Sequence, residues 1–323
     1  MGGDTMRQII AAGLGAVLTF SAPALAQDFP TKTIEIVVQN APGGASDIFA
    51  RTLARSAEEV FGQPVIVVNR AGGGGAAQMA AVKAAAPDGY TIGVNTLSHF
   101  TAMLTNLQGV FAPEDFSWIA QVQQDAHVLF VREDSPYQDF GALVEGQADT
   151  PLAVGGYGAV GSIANIATRL VTDSAELSVD WVGYDSSTEA ITGLLGGHVQ
   201  MAVANPGPVL DFARAGRVRI LGVLSEERSP AFPDVPTFAE QGFESNAEWQ
   251  QIRGIYGPAG IPDDIRQILA DGLIAATQTE EFQRYQDETA IEGLAYGPAE
   301  YAERVEAMMD LAREGLASVG IGN

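Results

Sequence analysis

The chain has 323 residues, enough for two domains of ordinary size, each with its own core. Its 46% hydrophobic and 18% charged residues describe a soluble globular protein, and the absence of cysteine excludes disulfide scaffolds and cysteine-ligated zinc. A formal charge of −23, with 17 basic residues scattered mostly singly, opposes any nucleic-acid role because no basic stripe exists to neutralise phosphates.

The N-terminus reads as an export signal. Met6 and Arg7 open a basic segment, residues 9–20 are apolar, and Ala24-Leu25-Ala26 fits a small-residue cleavage site. Residues 1–26 are therefore predicted to be a cleavable signal peptide, with the protein delivered to the periplasm. The apolar run is too short and glycine-rich for a comfortable membrane span, and no later segment reads as transmembrane. The acidity then suits a soluble monomer.

A β-branched run, Ile34 to Val38, predicts a buried strand. It breaks at Pro42-Gly43-Gly44, after which Ser46 and Asp47 are expected to cap an amphipathic helix over 47–61. Strand, glycine loop and helix N-terminus aim backbone N–H groups and the positive end of a helix dipole at one spot, which suits an anion. A strand over 65–68, a glycine-rich loop over 69–75, a helix over 76–86 and a strand over 90–94 follow, ending in a polar turn over 95–99. Such alternation implies a mostly parallel sheet with ligand chemistry at strand C-termini.

Around residues 118–132 the chain is predicted to change lobe. Extended runs at 119–122 and 128–131 are separated by polar Gln123, Gln124 and Asp125, as in a crossover strand. A helix over 139–147 and a strand over 152–154 lead into a second glycine loop, Gly155 to Ser162, and a helix over 163–172. Then come a strand over 177–182, a turn over 183–187, a helix over 188–195 and a strand over 199–204, with Asn205-Pro206 opening another helix. The apolar run Val218 to Leu224 is long enough to return through a hinge to the first lobe. Beyond a proline-rich connection, a strand over 252–256 and two helices opening near Pro262 and Pro298 complete the chain. Two α/β lobes are expected, with the two anion-accepting loops facing each other across a cleft.

The candidate ligand-binding residues follow. In the first loop they are Gly43, Gly44, Ala45, Ser46 and Asp47, and on the next turn Asn95, Thr96 and Ser98. In the second lobe they are Tyr157, Gly158, Gly161, Ser162, Tyr184, Asp185 and Asn205. Asp47 reads both as helix cap and as the residue that holds the loop in shape. Thr96 and Ser98 read as hydroxyl donors or ordinary turn residues, and Asn205 as a cleft or plain turn residue.

Gly156 to Gly161 formally matches the dinucleotide fingerprint G-x-G-x-x-G and would favour a nicotinamide oxidoreductase taken alone. It sits mid-chain in a protein read as exported, where free nicotinamide cofactor is not expected, and its backbone amides serve a carboxylate equally well. A catalytic constellation is hard to build. His99, His127 and His198 are the three histidines, no H-E-x-x-H or G-x-S-x-G element occurs, and His99 is expected to cap or bond locally. No catalysis, cofactor or metal site is expected.

Several segments resemble, in order, the landmarks of the Bug or tripartite tricarboxylate transporter substrate-binding family. They are Val37-Val-Gln-Asn-Ala-Pro-Gly-Gly-Ala-Ser-Asp47, Gly62-Gln-Pro-Val-Ile-Val-Val-Asn-Arg70, Ala86-Pro-Asp-Gly-Tyr90 and Leu194-Leu-Gly-Gly-His-Val199. Arg228-Ser-Pro-Ala-Phe-Pro-Asp-Val-Pro-Thr237 and Arg253-Gly-Ile-Tyr-Gly-Pro-Ala-Gly-Ile-Pro262 continue the series. The resemblance implies a two-lobed, type II periplasmic-binding-protein fold, each lobe a mostly parallel sheet flanked by helices. Lobe 1 would comprise residues 27–122 and 228–323 and lobe 2 residues 123–227, with a hinge near 120–127 and 222–230. It further implies capture of a small organic carboxylate and delivery to integral-membrane permease subunits. Loops 43–47 and 158–162 would hold the carboxylate, completed by turns 95–98 and 184–187. A ligand-sensing partner for a membrane receptor is the alternative that shares this binding step.

The chain departs from the family pattern in three places. Its second loop is the bulkier Tyr157-Gly-Ala-Val-Gly-Ser162, Asp185 stands where a basic residue is common, and Gln200 replaces a common acidic residue. Opposite Asp185, a mono- or dicarboxylate is favoured over a tricarboxylate, and Tyr157 and Tyr184 are compatible with an aromatic one.

Overall fold

Five residues rich in β-branched side chains, Ile34–Val38, make the second-innermost strand of a six-stranded sheet because four of them are buried. The computed structural model describes residues 29–147, 150–243 and 245–321; the expected signal peptide lies outside them. In chain order the first part is β1 (Ile34–Val38), α1 (Ala45–Phe61), β2 (Val65–Asn69), α2 (Ala76–Lys83), β3 (Thr91–Asn95), α3 (Leu97–Leu104) and β4 (Phe116–Asp125). The second part is β5 (His127–Arg132), α4 (Phe140–Gly146), β6 (Leu152–Tyr157), α5 (Ile163–Ser174), β7 (Val179–Tyr184), α6 (Ser187–Leu195), β8 (Met201–Ala204), α7 (Pro206–Arg214) and β9 (Val218–Leu224). The chain closes with β10 (Gln251–Pro258), α8 (Asp263–Ala276), α9 (Glu280–Thr289), β11 (Glu292–Tyr296) and α10 (Pro298–Ser318).

The strands form two sheets, ordered β11-β4-β10-β3-β1-β2 and β7-β6-β8-β5-β9. β1 pairs in parallel with β2 and β3, and β6 in parallel with β7 and β8, while β10 and β5 run antiparallel to their neighbours. The two-lobed α/β architecture read from the sequence is the one observed, but each sheet is mixed rather than mostly parallel, because the crossover strands β4 and β5 and the returning β10 and β9 pair antiparallel. Only Ala126 separates β4 of one sheet from β5 of the other, so the C-terminal edges of β1, β3, β6 and β8 all lie at the junction of the two sheets.

Four differences from the sequence reading have clear physical causes. Val218–Leu224 does not return to the first sheet; it pairs with β5 as an edge strand of the second, and the return falls after Leu224. The turn expected at 95–99 is the start of α3, because His99 Nδ1 accepts from Thr96 N at 3.1 Å and closes its first turn. β6 runs to Tyr157 and takes up Gly155 and Gly156, and β7 runs to Tyr184, which shortens the second loop. α9 and β11 were not foreseen at all.

One apolar cluster spans both lobes, from Trp118, Tyr256 and Tyr301 to Leu129, Phe140 and Trp249. α10 holds it together by packing on α3, β4 and α5. Among the described residues no helix is long and apolar enough to cross a membrane. At the foot of α10 the Tyr301 hydroxyl donates to Asn95 Oδ1 at 2.8 Å, in space that exists because residue 254 is glycine: a Cβ there would lie 1.8 Å from that hydroxyl. Tyr301→Phe leaves the buried Asn95 oxygen unpaired. It is expected to lower stability by about 1–3 kcal/mol, read as a lower urea midpoint with unchanged slope.

Candidate functional site

The first loop is built around Asp47, although not as its cap. Gly44 occupies the N-cap position of α1 with no side-chain hydrogen bond, and Asp47 lies three residues into the helix. From there its Oδ2 accepts from Gly43 N at 2.8 Å, and its Oδ1 accepts from Asn69 Nδ2 at 2.8 Å. Asn69 Nδ2 also donates to Asn40 O at 2.9 Å, so one carboxylate ties down both sides of the loop. Arg51, one turn on, donates to both carboxylate oxygens at 2.9 Å. The Arg51 hydrogen bonds, aided by those from Gly43 and Asn69, hold the Asp47 carboxyl down at about 2. Gly43 has a φ of 85°, and a Cβ on Gly44 would meet Asn40 Cβ at 2.9 Å, so both positions need glycine.

The second loop repeats this geometry. Gly161 also has a φ of 85°, Ser162 follows at the N-cap of α5, and Asn165 stands where Asp47 stands. Asn165 Oδ1 accepts from Gly161 N at 2.9 Å, the counterpart of the Gly43–Asp47 bond. The sequences align as Gly43-Gly-Ala-Ser-Asp47-Ile-Phe-Ala-Arg51 and Gly161-Ser-Ile-Ala-Asn165-Ile-Ala-Thr-Arg169. Because Asn165 is neutral, Arg169 turns to Asp173 at 2.7 Å instead. Asn165, 3% exposed, was not singled out from the sequence; the shared spacing from glycine to Asp or Asn and then Arg was the available signal.

The second loop and the turn that opens α3 lean on the same short segment. Trp249 Nε1 donates to Ile163 O at 2.9 Å, at the start of α5, and Gln251 Oε1 accepts from Leu97 N at 3.4 Å, at the start of α3. α10 also reaches both: Tyr301 meets Asn95, and a Cβ on Gly161 would lie 2.5 Å from Ile321 just past the helix end. Beside the first loop, Gln39 Nε2 donates to Thr96 Oγ1 at 3.3 Å and Ser98 Oγ at 3.4 Å, and those two hydroxyls lie 2.7 Å apart. Behind them His99 is buried. Its Nδ1 accepts from Thr96 N, so its Nε2 donates to Gln78 Oε1 at 2.7 Å, and burial pushes the ring down to about 4. Gln78 Nε2 in turn donates to Val37 O and Val94 O, binding the ends of β1 and β3 together.

The residues read from sequence divide into two groups. Gly43 and Ala45 are exposed at the first loop, with Gly44 half-buried and Ser46 buried under it; Thr96 is buried and Ser98 half-buried beside them. Tyr157 is 57% exposed, Asp185 is exposed, and Gly158 and Gly161 are half-buried on the second-lobe rim. The others are engaged elsewhere. Asn95 is 1% exposed and held by Tyr301. The Tyr184 side chain turns away from the rim: its hydroxyl lies 2.2 Å from where a Cβ on Gly193 would stand. Asn205 Nδ2 donates to Asp125 O and Ala126 O, bracing the crossover. Ser162 Oγ donates to Tyr157 O at 3.1 Å and accepts from Asn165 N at 3.3 Å, so it serves its own loop. Gly156, first glycine of the dinucleotide fingerprint, lies inside β6 under Trp181, where a Cβ would come within 2.3 Å. Among the described residues no group of three or more His, Asp or Glu could hold a metal ion.

Asp47 makes the first loop acid-sensitive. Its folded carboxyl is depressed below the ordinary value near 3.8, so its contribution is present above that value and lost as pH falls toward 2. Asp47→Asn is expected to cost about 1–2 kcal/mol at pH 7, discounted for half-exposed Arg51, and much less at pH 2.5. Paired urea melts at the two pH values measure this.

Comparison with known proteins places these features in context. The model of the tripartite tricarboxylate transporter family receptor matches residues 49–314. Protein BugT of Bordetella pertussis is 34% identical over 232 residues, 71% of this chain and 71% of that protein. A TctC solute-binding protein from Polaromonas superposes with a TM-score of 0.78 at 24% identity, over 90% of this chain and 99% of that one. An R. palustris protein solved with adipate gives 0.72 at 24% identity, over 91% of this chain and 99% of that one. At such identities the structural likeness concerns the fold alone.

Proposed function

Because the chain belongs to the tripartite tricarboxylate transporter receptor family, we propose that it is an extracytoplasmic solute-binding protein that closes on a small carboxylate. The observation that carries this reading is the matched pair of loops, Gly43–Asp47 on one lobe and Gly161–Asn165 on the other. In each, the side chain three residues into the helix takes the glycine N–H and leaves first-turn amides of α1 or α5 pointing outward. α1 has no side-chain cap at all, so a ligand carboxylate is the natural acceptor for its amides. Thr96 and Ser98 add hydroxyls beside it, and Tyr157 forms the opposite rim.

Binding is shared between the two lobes, whose first boundary, read from sequence at 122/123, moves to the crossover at Ala126 because β4 stays in the first sheet to Asp125, and whose second lies between Leu224 and Gln251. Ligand contacts to both lobes would then favour the closed arrangement, which a membrane permease receives. Adipate in a protein of the same fold supports a linear dicarboxylate as ligand. Location in the periplasm, a monomeric state and a purely binding, non-catalytic role complete the proposal. Asp185 lies exposed on the second-lobe rim, which favours one or two ligand charges over three.

Ala45→Asp tests the reading with the fold preserved. Ala45 is the exposed first residue of α1, where a carboxylate favours the helix while repelling an anion. Adipate at ~100 times its dissociation constant is expected to stabilise the mature chain by about 2.7 kcal/mol in a thermal melt. The variant should keep its ligand-free melting point and lose that shift. An unchanged adipate shift in the variant would remove the first loop from the site.

A further inference from the structure

A cavity of about 600 Å³ lies on the other flank of the crossover, and none of the site residues described above lines it. Sheet order shows why it is separate. β11 and β9 flank the crossing strands β4 and β5 on the side opposite β1 and β6. The cavity is walled by β11 and the end of α9 from one lobe, α7 from the other, and the segments on either side of the return crossover. Its volume is within the range of small-molecule sites.

Charge in this cavity is unbalanced. Asp125, Glu226, Glu227, Glu248, Asp287 and Glu292 line it, and among the described residues none of them forms a salt bridge. Three arginines also line it: Arg228 is already paired with Glu240, Arg304 donates to Gln121, and Arg214 is exposed on α7, so six carboxylates still outnumber the guanidiniums. At the deep end, Asp125 is 8% exposed with Oδ1 lacking any hydrogen-bond partner, and Gln250 is 6% exposed with Oε1 equally unpartnered. Buried Arg253 on β10 does not reach Asp125 within ion-pair distance; its Nη1 donates to Ile252 O. Two buried acceptors without donors, in a cavity with surplus carboxylates, call for a ligand that only donates and carries positive charge.

We propose that this cavity is a second ligand site, taking a small organic cation whose primary ammonium group is received by Asp125 and Gln250. Pro206, Leu210 and Leu294 supply apolar wall for a methylene chain, and the residues do not cluster as a metal site would. Bridging both lobes behind the crossover, an occupant would bias the same opening angle that the glycine loops use. Burial pushes the empty Asp125 carboxyl up to about 8, so the ammonium displaces a proton and binds more tightly as pH rises from 6 to 9. After burial, Arg253 on β10 lowers this value and Glu292 on β11 raises it; Tyr285 and Asp287 on α9, Arg214 on α7 and Glu248 in the return crossover are the other charged or titratable groups packed around the site.

The test is calorimetric titration of the mature chain with 1,4-diaminobutane at fixed ionic strength, with 1,4-butanediol as the uncharged control. Saturable one-to-one binding of the diamine and none of the diol is expected. Asp125→Asn should weaken it at least tenfold, and Leu210→Trp, which fills the cavity and leaves Asp125 in place, should abolish it. Glu306→Gln, on the exposed face of α10 away from the cavity, should leave it unchanged. Non-saturating binding, or binding that persists in both cavity variants, would show diffuse attraction to an acidic chain and overturn the proposal.

Discussion

Everything at the site depends on a backbone amide turned inward to its own helix. In each lobe a glycine held at positive φ gives its N–H to the Asp or Asn four residues later, at 2.8 Å for Gly43 and 2.9 Å for Gly161. That bond curls the loop back over the helix start; Gly44 N and Ser162 N then turn to Ala41 O and Ala159 O, and among the described residues the amides of 45–47 in α1 and 163–164 in α5 have no protein acceptor. A helix N-terminus has such orphan donors in any case. What is specific here is that the first loop is made rigid without consuming any of them, and the second gives up only Asn165 N, to Ser162 Oγ.

The two lobes use the device with different electrostatics. Asp47 is a buried carboxylate, which alone would be costly, and Arg51 together with donors from Gly43 N and Asn69 Nδ2 offsets that cost. It therefore fixes the first loop without presenting a bare negative charge to an incoming anion. Asn165 does the same work uncharged, so its lobe needs no such compensation and Arg169 pairs with Asp173. On the proposed reading, an anion would approach a chain of net charge −23 through local fields at the loops that come from amides and helix dipoles.

Much of the fold was legible because its buried strands are short apolar runs. Ile34–Val38 and Val218–Leu224 carry their boundaries in plain sight. α9 and β11 were not, because α9 buries only Phe282 and Gln286 and β11 is a largely exposed edge strand, so neither shows an apolar period. The start of α3 was hidden by an unusual partner: His99 fills the position where a capping box normally has Glu or Gln. At the site, the loop positions were legible from glycine, strand and helix order, but the roles within them were not. Spacing alone does not tell an N-cap from the third helical residue, and the two-residue extension of β7 turned Tyr184 into its own lobe. Asn205 and Asn95, placed at the cleft by sequence order, are held by the crossover and by Tyr301 because those partners come from 79 and 206 residues away.

In the proposed function, amides from both lobes receive one carboxylate together. Hydrogen–deuterium exchange of the mature chain, with and without saturating adipate, addresses it directly. Slowed exchange is expected in residues 44–47 and 159–164 at the same ligand concentration. Protection in one loop with none in the other, or in neither while adipate still binds, would contradict it.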